Sequence, residues 1–566
     1  MSSSLPQSAE ALARLTWADL EPHFAELKQT ALDASNVTAW LDQWSDLVRA
    51  VSETGSRLSV AVTVNTADED AEKAYNAFFE NLFPRAMAAD NELKLMLLKS
   101  GLQPAGFEVP LRNMRAEADL FREENLPLVG EEQKLITEHQ KITGAQMVEW
   151  EGKEVTVQQL KPVFQSPDRA RREQAWRLAA ERQLADRGAL NELWQKFLPL
   201  RRKMAANAGK PDYRAFMWQN LKRFDYTPDD CYKFHEAIEK AVVPAARRVY
   251  ERRRQRLGLD TLRPWDLDVD PSGQPALRPF QDDDEFKAGV SSIFHHVDPV
   301  LGGYFDTMRS ENLLDLVNRK NKAPGGYCTS FPVARRPFIF MNAVGIHDDV
   351  QTLLHEGGHS FHVFEDAALR YAQQLDVPME FAEVASMGME LLASPYLAKE
   401  AGGFYTPAEA KRARIEHLEG DILFWPYMAV VDAFQHWVYE NPDQAMDPAN
   451  CDAEWGRQWR RFMAVVDWSG LEDEMVTGWQ RKLHIYQVPF YYIEYGLAQL
   501  GAAQVWRNAL RDQAGAVAAY RKALALGGTA PLPQLFEAAG ARLSFDADML
   551  GEMVALMEAK IAELEG

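Results

Sequence analysis

Between Pro22 and Val51, Ala71 and Leu98, and Asp168 and Asn207, apolar residues recur three and four positions apart among charged ones, with few Gly or Pro. That spacing predicts amphipathic helices, and most of the chain reads the same way. Ser166-Pro167-Asp168 is a start signal and Ala208-Gly209-Lys210-Pro211 a stop, so 168–207 is one long helix or two abutting ones. A further long helix starts at Thr227-Pro228-Asp229-Asp230 and runs to Arg256, ending at Gly258. Strand patterns are few. Residues 147–156 suit a short hairpin turning at Glu151-Gly152, and the Pro-bounded apolar run 336–342 suits a strand, being too short for a helix. Residues 266–279, rich in Asp and Pro, read as an irregular loop. A soft boundary near residue 195 divides an N-terminal helical region, 1–195, from a C-terminal one, 196–566, that carries the chemistry.

Composition narrows the function classes. With 62 basic and 83 acidic residues in 566, the net charge is −21, which disfavours nucleic acid and anionic membranes as partners. Three widely spaced cysteines, Cys231, Cys328 and Cys451, are too few and too scattered for a disulfide scaffold and suit a reducing compartment. The first residues lack a basic and apolar leader, and no run of about 18 apolar residues occurs. The expectation is a soluble, cytoplasmic protein.

The chemistry concentrates in Leu354-His355-Glu356-Gly357-Gly358-His359-Ser360-Phe361-His362. Residues 348–365 read as a helix with Asp348 or Asp349 as N-cap and Leu353, Leu354, Phe361 and Phe364 inward. His355 and His359, at i and i+4, share a face and can reach one metal ion. Glu356 sits one step round the helix, near enough to act as general base on a water held there. For this composition H-E-x-x-H arises by chance roughly 0.04 times per chain, so context must decide. Two adjacent Gly inside a helix cost about 0.8–1 kcal/mol each relative to Ala. Their expected return is bare backbone that lets a substrate chain approach. The next helical segment, 378–392, offers Glu380, Glu383 and Glu390 as a third ligand, and periodicity leaves that choice open.

H-E-x-G-H-S-x-H followed by F-A-E-V-A-S-M-x-x-E resembles the thimet oligopeptidase and oligoendopeptidase F family of zinc metallopeptidases. The resemblance implies one zinc per chain on His355, His359 and Glu383, with Glu356 as base and Glu390 as a partner of a ligating imidazole. His362 also matches a family position, which suits a supporting or packing role. The likeness covers roughly 165–566 and includes Arg201, Gly209, Asp212-Tyr213-Arg214, Asp225-Tyr226-Thr227-Pro228, Leu262-Arg-Pro-Trp-Asp-Leu267 and Pro533 to Gly540. Ala343 ends a strand similar to the family's substrate-aligning edge strand. The implied fold is a mostly α, elongated, two-lobed helical zincin with a small sheet beside the H-E-x-x-H helix and a deep substrate cleft. The implied activity is hydrolysis of short peptides within that cleft.

The family also carries a His and a Tyr-rich helix on the far cleft wall. Here Leu483-His484-Ile-Tyr486-Gln487-Val488-Pro489-Phe490-Tyr491-Tyr492-Ile-Glu-Tyr495 holds one extra residue around Pro489. The offset points to His484, Tyr491 and Tyr495 as the oxyanion donors, with Tyr486 and Tyr492 left open. Two other readings stand beside the endopeptidase. One is a zinc carboxypeptidase of similar helical fold, although Ala382-Glu383 stands where those enzymes carry a second His-Glu pair. The other is a non-catalytic peptide-binding protein. His295-His296 reads as a helix-end pair, the arginines at 247–248 and 252–254 as a solvated basic face, and Cys328 as uninvolved in catalysis.

Overall fold

The structure is a computed structural model that describes residues 5–566. It is mostly helical, with two small sheets. The expected helix over 22–51 is interrupted: helices span Trp17–Gln29 and Val37–Val64. Between them the Asp33 carboxylate accepts the Ser35 and Asn36 amides, a local turn that competes with helix continuation. Over 71–98 the chain stays helical through Glu69–Ala77 and Phe83–Ser100, joined by a π-turn at Phe78–Leu82. Pro84, lacking an N–H, sits where that wider turn ends.

Residues 168–207 form two abutting helices, Arg169–Ala185 and Arg187–Asn207, the first capped by Asp168. The 227–256 segment opens with the Thr227/Asp230 capping box but divides into Pro228–Ala241 and Val243–Arg256, because Pro244 cannot continue the hydrogen-bond ladder. Along Val243–Arg256 Arg247 is exposed as read, but the other basic residues are tied within the chain rather than merely solvated. Arg248 pairs with Glu558, Arg252 with Glu419 and Arg254 with Glu251.

The hairpin forms as read: β1 (Met147–Trp150) and β2 (Lys153–Thr156) meet in a two-residue turn, with Glu151 and Gly152 both at positive φ. Its companion sheet runs β3 (Leu314–Val317), β5 (Arg336–Ala343), β4 (Tyr327–Phe331) in spatial order, with β3 parallel and β4 antiparallel to β5. The strand ending at Ala343 is therefore the middle strand, not an edge. Pro337 to Ala343 are all buried, as suits a strand paired on both sides.

One apolar core gathers Leu12 to Met114 together with Tyr371, and a second, larger core extends from Leu120 to Leu564. The first docks on the sheet through Glu53, a buried carboxylate accepting the Val333 and Ala334 amides in the β4–β5 turn. Residue 195 lies inside the helix Arg187–Asn207.

Candidate metal centre and active site

The H-E-x-x-H helix spans His347–Asp366. Asp349 is not its N-cap. It sits in the first turn, and its Oδ2 accepts the amides of Val344, Gly345 and Ile346, which draws the chain after β5 tightly into the helix. Asp348 instead pairs with Lys161. Leu353, Leu354 and Phe361 are fully buried, so His355 and His359 are turned to the opposite side.

The glycines serve a different purpose from the one expected. A Cβ on Gly358 would stand 2.4 Å from the Ala385 carbonyl oxygen and 2.6 Å from Ser386 Cα, and one on Gly357 would stand 2.4 Å from Phe294 Cζ. Bare backbone here admits the helix Met379–Ala393, not a substrate. That contact carries Glu383 to the two imidazoles. Gly358→Ala is expected to push these helices apart, costing about 1–3 kcal/mol by overpacking and weakening metal retention. Thermal unfolding and metal content of the variant check both effects.

Glu383 Oε2 lies 3.3 Å from His355 Nε2 and 3.5 Å from His359 Nε2. Donors held tetrahedrally at ~2.0–2.1 Å from zinc stand about 3.3–3.4 Å from one another, so these three atoms match such an ion. Burial disfavours the charged form of each group, yet opposite charges prevail. His355, facing Glu383 and Glu390, is raised well above its ordinary value, and Glu383, facing both imidazoles, is lowered well below its own. His355 Nδ1 stands 2.7 Å from Glu390 Oε1, which leaves Nε2 to face the metal position. Ser386 Oγ and Tyr491 Oη donate to Glu383 at 3.0 and 2.6 Å.

Of the three acids left open by periodicity, Glu380 points elsewhere, accepting Tyr226 Oη at 2.6 Å and lying 3.5 Å from Arg223 Nε. Glu356 is buried, and burial raises its pKa. Among the described residues no hydrogen-bond donor reaches its carboxylate. His362 is buried against Phe381 with Nε2 unpartnered, and burial lowers it to about 3. Cys328 Sγ lies 3.4 Å from Ser360 Oγ, which places β4 beside the helix. Burial and Glu356 push its thiol up to about 12, so it stays protonated. His295, as read, ends a helix, paired with Asp306.

The tyrosines separate. Tyr486 is wholly buried, its ring stacked on Trp479 and His139. The Tyr492 hydroxyl is held by Lys482 at 3.0 Å. Tyr491 reaches Glu383, while Tyr495 Oη lies 3.3 Å from His484 Nε2. Burial, then the charge of Glu383, raises both Tyr491 and Tyr495 well above the phenol range, which keeps them hydrogen-bond donors. Burial and Lys482 lower His484 to about 3, so its imidazole is neutral.

Sequence reasoning missed what aims this wall. The segment between His484 and Tyr491 is gripped by its backbone: buried Arg201 donates to the Ile485 and Tyr486 carbonyls and buried Arg223 to that of Phe490. Gln435 Oε1 accepts the Phe490 amide at 2.7 Å, and Phe490 takes φ +66°, a conformation unfavourable for a bulky side chain. The one available signal was arginine at positions whose neighbours pattern as buried.

The profile of Peptidase family M3 matches residues 163–555, and that of the Peptidase M3 N-terminal domain matches 8–105. An oligoendopeptidase F homolog from Mycoplasma genitalium is 36% identical over 88 residues, which is 15% of this chain and 14% of that protein. Among solved structures, one provisionally assigned as oligoendopeptidase F superposes with a TM-score of 0.91 at 29% identity, covering 97% of both chains. PZ peptidase A with an inhibitor gives 0.91 at 28% identity, over 97% of this chain and 98% of its own. With the profile covering the helices that carry His355, His359 and Glu383 and the segment that carries Tyr491 and Tyr495, the chain belongs to Peptidase family M3.

Proposed function

We propose that this chain is a zinc-dependent endopeptidase that hydrolyses short peptides in the cytoplasm. The carrying observation is the convergence of His355, His359 and Glu383 at ligand spacing, with Glu356 beside them. The whole-chain likeness to a structure assigned to oligoendopeptidase F and to PZ peptidase A supports the substrate class. Three free cysteines suit a reducing compartment, and no helix among the described residues is long and apolar enough to cross a membrane. A net charge of −21 argues against nucleic acid as a partner.

His355, His359 and Glu383 would hold the zinc, and Glu390 fixes the tautomer of His355. Zinc bound there supplies a Lewis acid that polarises a peptide carbonyl and lowers the pKa of water to about 7. Glu356 takes the proton of the attacking water and delivers it to the nitrogen of the departing amine. Tyr495 and His484 donate hydrogen bonds to the carbonyl oxygen as it gains negative charge, while Tyr491, expected beside them, gives its one hydroxyl proton to the Glu383 carboxylate. Arg201, Arg223 and Gln435 set that wall by holding its backbone.

A peptide blocked at both termini separates this reading from a carboxypeptidase and from a binding protein, since an endopeptidase alone cleaves it. Cleavage should vanish on chelation and return with zinc. Glu383→Ala should lose the zinc of this centre, whereas Glu380→Ala, whose carboxylate faces Tyr226, should retain it. The reverse pattern in a metal assay would show that the third ligand is misassigned.

A further inference from the structure

Away from this centre a second set of donors converges in the interior. The helix Pro228–Ala241 contributes Cys231 and His235, and the helix Pro407–Glu440 contributes Asp432 and His436. Each pair is spaced i, i+4, so each helix turns both of its residues to one face. Cys231, Asp432 and His436 each offer a ligand atom within 4.8 Å of the others. Among the described residues, the only other such trio is His355, His359 and Glu383.

The polar atoms of this second cluster are only partly satisfied by one another. His235 Nε2 stands 2.8 Å from Asp432 Oδ2, and His436 Nε2 stands 3.4 Å from the same oxygen. Among the described residues Asp432 Oδ1, His436 Nε2 and His235 Nδ1 have no hydrogen-bond partner, although all three side chains are buried to within about one per cent. Each such group left bare in a dry interior carries an uncompensated desolvation penalty. A bound ion is a recognised reason for such vacancies.

We propose that this cluster is a second, buried zinc site, with Cys231 Sγ, Asp432 Oδ1 and His436 Nε2 as its three protein ligands and a water completing the tetrahedron. His235 holds Oδ2 of Asp432 and so orients the ligating carboxylate. A mixed sulfur, nitrogen and oxygen set suits zinc and excludes magnesium and calcium, which take oxygen ligands. Charge also closes: one thiolate and one carboxylate balance a divalent cation, leaving no net charge in the core. Cys231 releases its thiol proton to solvent on binding.

Arg214 Nη1 lies 3.3 Å from His436 Nδ1 and also contacts Tyr232 Oη and Glu440. Ligation through Nε2 puts a hydrogen on Nδ1 and turns the guanidinium wholly onto those two partners. The ion would staple the Pro228–Ala241 helix to the one carrying Gln435, whose side chain holds the turn before Tyr491.

Cobalt(II) tests this in the full chain, because a thiolate ligand adds a near-ultraviolet charge-transfer band that the His355 centre, lacking sulfur, cannot produce. The expected result is two cobalt ions per chain with that band. Cys231→Ser should lose the band and one ion, whereas His359→Ala should lose the other ion and keep the band. If Cys231→Ser fails to fold, a Cys328→Ser/Cys451→Ser variant leaves Cys231 as the only thiol and must keep the band. A wild-type chain with one ion and no band overturns the proposal, as does a band that survives Cys231→Ser or disappears from the double variant.

Discussion

Glu356→Gln is expected to retain zinc yet lower kcat by about 10²–10⁴-fold, the usual contribution of a positioned general base. The amide keeps the shape of the carboxylate but cannot accept the proton of a water. Nothing else near the centre can substitute. His355 and His359 are turned to the metal position, Glu383 is occupied by Ser386 and Tyr491, and Cys328 is held protonated by burial. Among the described residues no donor stabilises the wild-type Glu356 carboxylate, and burial already favours its protonated form. Its readiness to take a proton therefore comes from its surroundings as well as its position. Because the base acts in the chemical step, KM should change far less than kcat. A zinc-loaded Glu356→Gln chain with near wild-type turnover on a blocked peptide would remove Glu356 from the mechanism.

What the sequence made legible follows from the range of the forces involved. Helical periodicity and caps are local, so Asp168, the Thr227/Asp230 box and the Glu151-Gly152 turn read correctly. The i, i+4 spacing of His355 and His359 is local too, and the structure places both imidazoles beside Glu383. Choosing Glu383 over Glu380 and Glu390 depended on family likeness, because all three share a helix and only its packing angle distinguishes them. The glycines were misread for the same reason: the atoms that exclude a Cβ from Gly358 belong to a helix some 27 residues further on. The turn at 33–36 and the π-turn at 78–82 are local but rest on one side chain or one missing N–H, which an apolar pattern does not register. A middle strand and an edge strand look alike when both are short and apolar. Nor does spacing announce that Arg201 and Arg223, from distant helices, hold one backbone segment.

Tyr495→Phe is expected to lower kcat by about 10²–10³-fold with little change in KM, the effect of removing one donor to an oxyanion. The four tyrosines of the 486–495 segment differ in what their hydroxyls already do. Tyr486 is packed between aromatic rings and Tyr492 is tied to Lys482, so Phe at either position should leave kcat near wild type. Tyr491 donates to Glu383 at 2.6 Å, hence Tyr491→Phe should also loosen the ligand carboxylate and reduce zinc affinity. Among the described residues Tyr495 has only the neutral His484 as partner, at 3.3 Å, a long contact that a developing negative charge readily outbids. Its phenol stays protonated well beyond neutral pH, so the donor is present throughout the working range. His484→Ala should approach the Tyr495→Phe loss and also raise KM, since the imidazole can touch bound peptide. Steady-state kinetics on zinc-replete variants distinguishes these cases. Equal and unchanged kcat for all four Phe variants would move the oxyanion wall away from this segment, while a loss confined to Tyr491 would make the Glu383 contact, rather than Tyr495, the site of transition-state stabilisation.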